Sequence, residues 1–287
     1  VNPATLTVTG TKTYDGTTSF STGLSVSGFV NSETASGYTA TAHSANVSSN
    51  GSNYLTGITW TGGTATPSNY QTTGSYSATQ NAMSISPATL TYTANSSTST
   101  YGTTPSVNSG TVTGFVNSDT QANATTGTLL FSTGATATSN VGNYSVTGSG
   151  LTANNGNYVF AQASGNSTAL TVNPATLTVT GTKTYDGTTV FSTGTLSVSG
   201  AVNGETVTLT AGSGTSSSAN VNTYTQSPLT GLAISVSGGH ALSSNYSLPS
   251  TGTLTITPAA LTLSLVGTKV YDGSNVFNAS EITASGL

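Results

Sequence analysis

The sequence predicts an all-β protein, built as a tandem array of small β-sandwich-like modules joined end to end. Three observations indicate this fold: short segments in which apolar residues alternate with threonine, frequent glycine and asparagine between those segments, and one strand pattern that returns along the chain. A period of two is typical of a strand with one buried face, and threonine and valine favour the pleated surface of a sheet. A β-grasp-like module with one short helix is the alternative fold.

The opening strand shows the alternation most clearly. Leu6 and Val8 fall on one face, and the threonines between and beside them fall on the other. A second copy of this strand places Leu177 and Val179 in the same way. Because successive side chains of a strand point to opposite faces, we expect the leucine and valine face to be buried and the threonine face to be exposed.

The same opening occurs four times and sets the predicted module boundaries. Residues 1–18 recur unchanged at 172–189, and looser copies begin at Pro87 and Pro258. The four prolines that open the copies are 84, 87 and 84 residues apart, which is the size of a small domain rather than of a solenoid unit. The predicted organisation is the tail of a preceding repeat at 1–2, a first repeat at 3–86, a second at 87–173, a third at 174–257 and the truncated start of a fourth at 258–287.

Three landmarks follow each other in a fixed order inside the repeats. The first is a Tyr-Gly turn after the opening strand, with or without an aspartate between the two: Tyr14-Asp15-Gly16, Tyr101-Gly102, Tyr185-Asp186-Gly187 and Tyr271-Asp272-Gly273. The second is an acidic turn at Glu33, Asp119 and Glu205, and the third is an Asn-Tyr pair at 69–70, 157–158 and 245–246. A tyrosine combines a large apolar body with a polar tip, so we expect the recurring tyrosines to be core residues that pin a turn to a sheet. They are Tyr14, Tyr70, Tyr158, Tyr185 and Tyr246.

These landmarks resemble the YDG and MBG (YGX-type) repeat domains of large bacterial exported adhesins of the filamentous-haemagglutinin-like or biofilm type. The first, third and fourth repeats contain TYDGTT, TYDGTT and VYDGSN, and the second contains the YGTTP form. The resemblance implies an array architecture, an extracellular location at the bacterial cell surface and no common enzymatic activity. The family often has Gly-Asp at the acidic turn, where this chain has Ser-Glu, Ser-Asp and Gly-Glu.

The composition excludes several classes of partner. Charged residues make up 3% of the chain, against about a quarter in ordinary proteins, and arginine is absent. Nucleic-acid binding needs basic patches that neutralise phosphates, so we expect no nucleic-acid partner. No stretch approaches the roughly 20 apolar residues of a membrane span, so we expect no membrane insertion of this segment and place any export signal or anchor outside it. Without cysteine, each module must depend on its own core.

Lysines supply the only cations of the chain, and each lies two residues before the tyrosine of a Tyr-Asp-Gly: Lys12, Lys183 and Lys269. Strand parity places Lys12 on the apolar face, where an ammonium group needs a partner. The candidate partners are the aspartate of the same motif and, across the module, Glu33 or Glu205. An alternative hypothesis is an intramolecular isopeptide cross-link to asparagine beside an acid, which requires an uncharged amine. The second repeat has Ser99 at the lysine position.

The sequence predicts neither an enzyme nor a cofactor or metal site. His43 and His240 are not at equivalent positions, and the acidic residues are spread singly rather than in a ligand loop. The predicted function is a structural stalk or fibre segment of a secreted surface adhesin or extracellular filament, which projects or assembles adhesive regions. Its partners would be neighbouring repeats, other copies in a fibre, or a host or surface glycan. The alternative is that the modules themselves bind a ligand such as a glycan, which predicts an aromatic and polar pocket, with Trp60 as a candidate.

Overall fold

The computed structural model describes residues 1–73, 78–79, 81–240, 242–262 and 264–285. The chain divides into two compact units. Unit 1 comprises Val1–Ser99, Thr104–Thr136 and Gly142–Val172, and unit 2 comprises Thr100–Thr103, Ala137–Val141 and Asn173–Leu287. Unit 2 therefore contains the third and fourth repeats together with two short segments and the last residue, Asn173, of the second.

The all-β class is confirmed, and the chain forms short strands throughout. The strands of the first repeat are β1 (Thr7–Thr13), β2 (Ser19–Phe20), β3 (Leu24–Ser27), β4 (Ala35–Ser36), β5 (Thr39–Ala42), β6 (Leu55–Thr59), β7 (Gly62–Gly63) and β8 (Met83–Ser86). Those of the second are β9 (Ala88–Ala94), β10 (Ser97–Thr100), β11 (Gly110–Thr113), β12 (Thr125–Ser132), β13 (Gly142–Tyr144), β14 (Thr147–Ala153), β15 (Tyr158–Gln162) and β16 (Leu170–Asn173).

The third repeat has the longest strands of the described chain. Its strands are β17 (Ala175–Thr176), β18 (Thr178–Thr184), β19 (Val190–Ser192), β20 (Leu196–Ser199), β21 (Thr206–Thr215), β22 (Asn222–Ser237), β23 (Tyr246–Ser247) and β24 (Thr251–Thr257). The fourth repeat contributes β25 (Ser264–Gly267) and β26 (Ile282–Ser285).

Helical structure in the described residues is confined to single turns. The one α-helix is α1 (Gln121–Ala124), which Thr120 caps by accepting a hydrogen bond from the Asn123 N–H. The 3-10 turns are Val47–Ser49, Pro67–Asn69, Asn154–Gly156, Ser164–Thr168, Thr193–Thr195, Ser243–Asn245 and Ala279–Glu281. None of the described helices is long and apolar enough to cross a membrane.

The opening strand has the same two kinds of neighbour in each of the first three repeats. It pairs antiparallel with a strand from the first part of the repeat and parallel with a strand late in the repeat, giving the orders β3-β1-β8, β11-β9-β15 and, within a six-stranded sheet, β24-β18-β20. Each of these three repeats therefore contains one parallel strand pair within its all-β fold, and α1 adds one short helix in the second repeat.

The apolar face of the opening strand is buried in the first three repeats, as its alternation predicts, whereas Leu261 and Leu265 of the fourth repeat are exposed. Leu6 and Val8 lie in a core with Phe20, Leu55 and Ile58 in unit 1. In unit 2, Val179 packs with Phe191, Leu254 and Ile256. The threonines between the buried residues are exposed. Burying one such apolar side chain contributes about 1.5–3 kcal/mol to the free energy of unfolding. These buried strands therefore hold the turns that follow them in fixed positions.

One residue connects a closing strand to the next opening strand. In unit 1, β8 ends at Ser86, Pro87 follows, and β9 begins at Ala88. In unit 2, Pro174 occupies the same place between Asn173 and Ala175. Proline fixes its own φ angle and restricts the preceding residue to extended geometry. The Tyr-Gly turns lie next to these connections.

Candidate functional site

Each Tyr-Asp-Gly turn is closed by an ion pair between its aspartate and the lysine three residues earlier. The distance from lysine Nζ to aspartate Oδ1 is 2.6 Å for Lys12–Asp15 and 2.8 Å for both Lys183–Asp186 and Lys269–Asp272. The Lys183 ammonium also donates to the Thr188 carbonyl and hydroxyl oxygens and to the Val190 carbonyl oxygen. All the donors of a protonated amine are thus satisfied, which favours the ion pair over a cross-link through an uncharged amine.

The two glutamates proposed as lysine partners do not have that role. Glu33 accepts a hydrogen bond from the Tyr70 hydroxyl, and Glu205 accepts one from the Tyr246 hydroxyl. In each motif the turn places the aspartate beside the lysine, so this nearby carboxylate pairs with the ammonium group. Within the described residues, the interpretation of Glu33 and Glu205 as ion-pair partners is corrected to tyrosine acceptors.

A phenylalanine eight residues after each lysine completes the turn. The lysine Nζ lies 4.8 Å from the ring centroid of Phe20, 5.1 Å from that of Phe191 and 5.7 Å from that of Phe277. Cation–π contacts of this length are attractive. Strand alternation does not predict these contacts, although the constant spacing of the rings from the lysines was a usable signal. The second repeat, which lacks the lysine, has the aliphatic Val107 at this position.

The paired lysine lowers the pKa of the aspartate. Hydrogen bonds from Lys183 and from the Thr188 N–H and hydroxyl bring the pKa of Asp186 to about 2. Lys269 likewise lowers the pKa of Asp272. Burial alone would raise the pKa of Asp15, but the hydrogen bonds from Lys12 and Thr17 outweigh burial and lower it. All three carboxylates are therefore ionised at neutral pH.

The motif tyrosine of the first repeat reaches the acidic turn of the second. Within unit 1, the Tyr14 hydroxyl donates to Asp119 Oδ2 at 3.0 Å, and the Tyr158 hydroxyl donates to the same oxygen at 2.7 Å. The two rings meet edge to face, with centroids 5.2 Å apart. We call this set of a motif tyrosine, the carboxylate of the next acidic turn and the tyrosine of the next Asn-Tyr pair a tyrosine clamp.

Unit 2 contains a second tyrosine clamp with the same members. The Tyr101 hydroxyl donates to Glu205 Oε1 at 2.6 Å, and the Tyr246 hydroxyl donates to Glu205 Oε2 at 2.7 Å. The rings are again edge to face, at 5.6 Å. Burial is the largest cause that raises the pKa of Tyr158 and of Tyr246 to about 12, with the adjacent carboxylate adding to it. Both hydroxyls therefore stay protonated as donors at neutral pH.

Backbone hydrogen bonds fix each clamp to the proline connection. The Tyr14 N–H donates to the Ser86 carbonyl oxygen and the Tyr101 N–H to that of Asn173, and in both cases the acceptor residue directly precedes the proline. The hydroxyl oxygens of Tyr158 and Tyr246 also accept from the N–H that begins the acidic turn, at 3.1 Å. The clamp thus ties together the motif turn, the acidic turn and the connection.

An asparagine pair forms a second contact beside each clamp. In unit 1, Asn157 accepts from the Val47 N–H and donates to Asn46 Oδ1, both at 2.9 Å. In unit 2, Asn245 makes the same two bonds to Val141 and Asn140, both at 3.0 Å. We call this contact the asparagine latch. Strand alternation does not predict this latch, although the dipeptide Asn-Val occurs at 46–47, 140–141, 220–221 and 275–276.

The glycine of the motif is required where a clamp is formed. Gly16 has a φ of +74°, and a Cβ atom there would lie 2.8 Å from Asn117 Cβ. Gly102 has a φ of +91°, and a Cβ would lie 2.7 Å from Val202 Cβ. Both the backbone conformation and the close approach of the acidic turn therefore exclude a larger residue.

Two motif tyrosines are exposed, and the interpretation of Tyr185 as a core residue is wrong. Tyr14 and Tyr101 are 7% and 1% exposed, whereas Tyr185 and Tyr271 are 46% and 93% exposed. The physical reason is that a motif tyrosine is buried by the acidic turn that follows in the next repeat, and no such turn follows Tyr185 in the described residues. A Cβ added at Gly187 or Gly273 would accordingly meet nothing within 4 Å.

Comparison with protein families identifies two of the repeats. Residues 90–168 match the family described as MBG domain (YGX type), and residues 168–253 match the family described as YDG domain. Searches of curated proteins and of solved structures gave no match. The clamp of unit 2 thus joins a tyrosine in the first matched region to a carboxylate in the second.

Proposed function

We propose that this chain, which carries an MBG domain of the YGX type at 90–168 and a YDG domain at 168–253, is a stalk or fibre segment of a secreted bacterial surface adhesin or filament. The observation that carries the proposal is the repetition of one joint. Each joint consists of a tyrosine clamp, an asparagine latch and a one-residue proline connection. The buried motif tyrosines, the acidic residues that they contact and the latch asparagines hold successive repeats together.

The chemistry of the joint suits a segment that keeps repeats at a fixed spacing. Flexible linkers are rich in glycine and serine, whereas each connection here is a single proline with restricted torsion angles. The clamp adds hydrogen bonds to an ionised acceptor, which are about twice as strong as neutral ones. Bending at the joint must break these bonds together, so the joint resists it. MBG and YDG domains are typical of surface proteins, which supports an extracellular location.

The alternative role, glycan binding by the modules, has less support. Trp60 donates from its indole nitrogen to the Ala65 carbonyl oxygen, and its partly buried ring packs edge to face on Phe29 against the core of the first repeat. A groove of about 410 Å³ lies beside β18 in unit 2, and its lining includes Thr178, Gln226 and Pro249. No described residue that lines it is aromatic, so the groove offers no ring for a sugar to stack on.

The rigidity of the joint tests the proposal. The chain has no cysteine, so spin labels can be placed at Thr7→Cys and Ser149→Cys, both exposed and on either side of the first joint. We expect a narrow distribution of label distances by pulsed electron paramagnetic resonance, and a broader one when Asp119→Ala removes the clamp acceptor. A broad distribution in the chain that keeps Asp119 would contradict a stalk role. Saturable binding of an immobilised glycan would favour the alternative.

A further inference from the structure

Strand β22 is covered by a neighbouring strand over only part of one edge. On one side, β21 pairs with it over 229–237. On the other side, β24 pairs with it over 222–228, and the pairing ends where the Leu229 N–H donates to the Ser250 carbonyl oxygen at 2.9 Å. Among the described residues, no strand pairs with this second side after Leu229. The strand nevertheless continues to Ser237, which leaves a free edge.

The first repeat covers the corresponding edge. Strands β6 and β22 share the sequence Leu-Thr-Gly, at 55–57 and 229–231. In β6, the Ile58 N–H donates to the Thr72 carbonyl oxygen at 2.9 Å, and the strand ends at the next residue. In the third repeat β22 runs on, and a groove of about 380 Å³ lies between Ala233 and the chain around the Asn-Tyr pair. The longer strand therefore has open space beside its free edge.

The free edge is regular and carries no charge. Residues 234–237 pair with 206–209 without a shift of register. Their side chains alternate between the partly buried Ile234 and Val236 and two exposed serines. Exposed edges are commonly protected from pairing by a lysine or a proline, and this stretch contains neither. The edge can therefore accept another strand.

The joints to neighbouring repeats use other surfaces of the third repeat. The joint of unit 2 takes its contacts from the acidic turn and the Asn-Tyr pair, including Glu205 and Asn245. In a joint to a following repeat, the third repeat would present its motif turn and the Asn-Val pair at 220–221, as the first repeat does with Asn46. That pair precedes β22, and a strand rises about 3.3 Å per residue, so Ile234 lies roughly 40 Å along the strand from it.

We propose that the free edge of β22 pairs antiparallel with the same edge of a second copy of this chain. With Ser235 opposite Ser235 of the second copy, Ile234 lies opposite Val236, and the apolar faces of the two strands continue into each other. The pattern is self-complementary, and neither edge brings a charge that repels the other. The contact uses the same surface on both copies, so it is isologous and closes as a dimer.

This pairing goes beyond the stalk role, because it joins two chains laterally, whereas the joints connect the repeats of one chain. It depends on the third repeat alone and on neither the clamps nor the latches. If copies fail to pair, the stalk proposal and its spin-label test are therefore unaffected.

Sedimentation velocity of the whole chain over a range of concentrations tests the pairing. A few residues per copy bury less surface than the roughly 1,200 Å² of a stable interface, so we expect a weak, concentration-dependent dimer. Ser235→Lys should weaken it several-fold, because like charges directly opposite each other on paired strands are destabilising. Ser237→Lys is the matched control on the same face of the same strand. In this register it lies opposite Ala233 and should have little effect.

A charge-matched mixture completes the comparison. Chains with Ser235→Lys mixed with chains with Ser235→Glu should dimerise again, because the introduced charges are opposite in sign. Both serines are exposed, so the fold should be retained in every variant. Wild-type chains that stay monomeric at every concentration, or equal weakening by Ser235→Lys and Ser237→Lys, would overturn the proposal. Oligomers larger than a dimer would show that different surfaces pair, and would overturn the isologous contact.

Cysteine trapping tests the register, since the chain has no cysteine of its own. Directly opposite residues of an antiparallel pair have Cα atoms about 4.5–5.5 Å apart, which is within the range of a disulfide. Ser235→Cys chains should therefore form disulfide-linked dimers on mild oxidation. Ser237→Cys chains should not, because their two cysteines would lie about 13 Å apart along the paired strands. Equal yields of linked dimer from the two variants would contradict this register.

Discussion

Lys183 is almost buried, with 5% of its side chain exposed, and the carboxylate that balances its charge belongs to the same turn. Its neighbours are the Asp186 carboxylate, carbonyl oxygens of the same turn and the Phe191 ring. A buried charge is tolerated only when it is paired and its hydrogen bonds are satisfied. The Tyr-Asp-Gly motif is therefore a local device in which the lysine closes the turn that presents the tyrosine.

The low pKa of Asp186 predicts how the stability of the third repeat responds to acid. Because the folded-state pKa of Asp186 is about 2 and the ordinary pKa of an aspartate is 3.8, its contribution to stability is present above about pH 4 and is lost as the pH falls to about 2. We expect the free energy of unfolding of unit 2 to fall more steeply with acid in the wild-type chain than in Asp186→Asn, as measured by denaturant unfolding at several pH values. Parallel curves for the two proteins would contradict the assignment.

At the scale of the element, the motif turn acts on the next repeat rather than on its own. Tyr101 belongs to the second repeat, yet its side chain contacts the Glu205 carboxylate and the Tyr246 ring of the third. Tyr185 has the same motif and stays half exposed. The burial of a motif tyrosine is thus a property of the joint, and the same substitution should have different costs at different joints.

Tyr101→Ala and Tyr185→Ala form a matched pair that measures this difference. Removing a buried aromatic ring costs about 3–5 kcal/mol, so Tyr101→Ala should reduce the free energy of unfolding of unit 2 by that amount. Tyr185→Ala should cost less than about 1 kcal/mol, as surface substitutions do. Urea unfolding of both variants checks the prediction. Similar costs would mean that Tyr185 is buried in solution and that the clamp does not determine the burial of the motif.

For the whole molecule, the sequence predicted features that recur within one strand or turn, but it did not predict contacts between residues far apart in the chain. The buried face of β1 followed from alternation at Leu6 and Val8, because a strand repeats every two residues. The clamp between Tyr14 and Asp119 spans 105 residues, and no local period predicts such a pair. The prediction of Tyr185 as a core residue is wrong for a related reason. Its burial depends on contacts with a neighbouring repeat, and the motif alone does not predict those contacts.

Because the joints connect only adjacent repeats, they predict how far a local loss of stability spreads along the chain. In arrays whose repeats contact only their neighbours, destabilisation is confined to the altered interface. Asp119→Ala removes the acceptor of both Tyr14 and Tyr158, so hydrogen-exchange protection should fall around the clamp of unit 1 and persist in β22 and β24 of unit 2.

Glu205→Ala is the reciprocal variant, because it removes the acceptor of the clamp in unit 2. It should lower protection near Tyr101 and Tyr246 and leave that of β1 and β8 in unit 1 intact. Hydrogen exchange resolved to individual strands compares the two variants directly. If either substitution lowered protection equally in both units, the chain would unfold as one cooperative body, and the joints would transmit more than nearest-neighbour contacts.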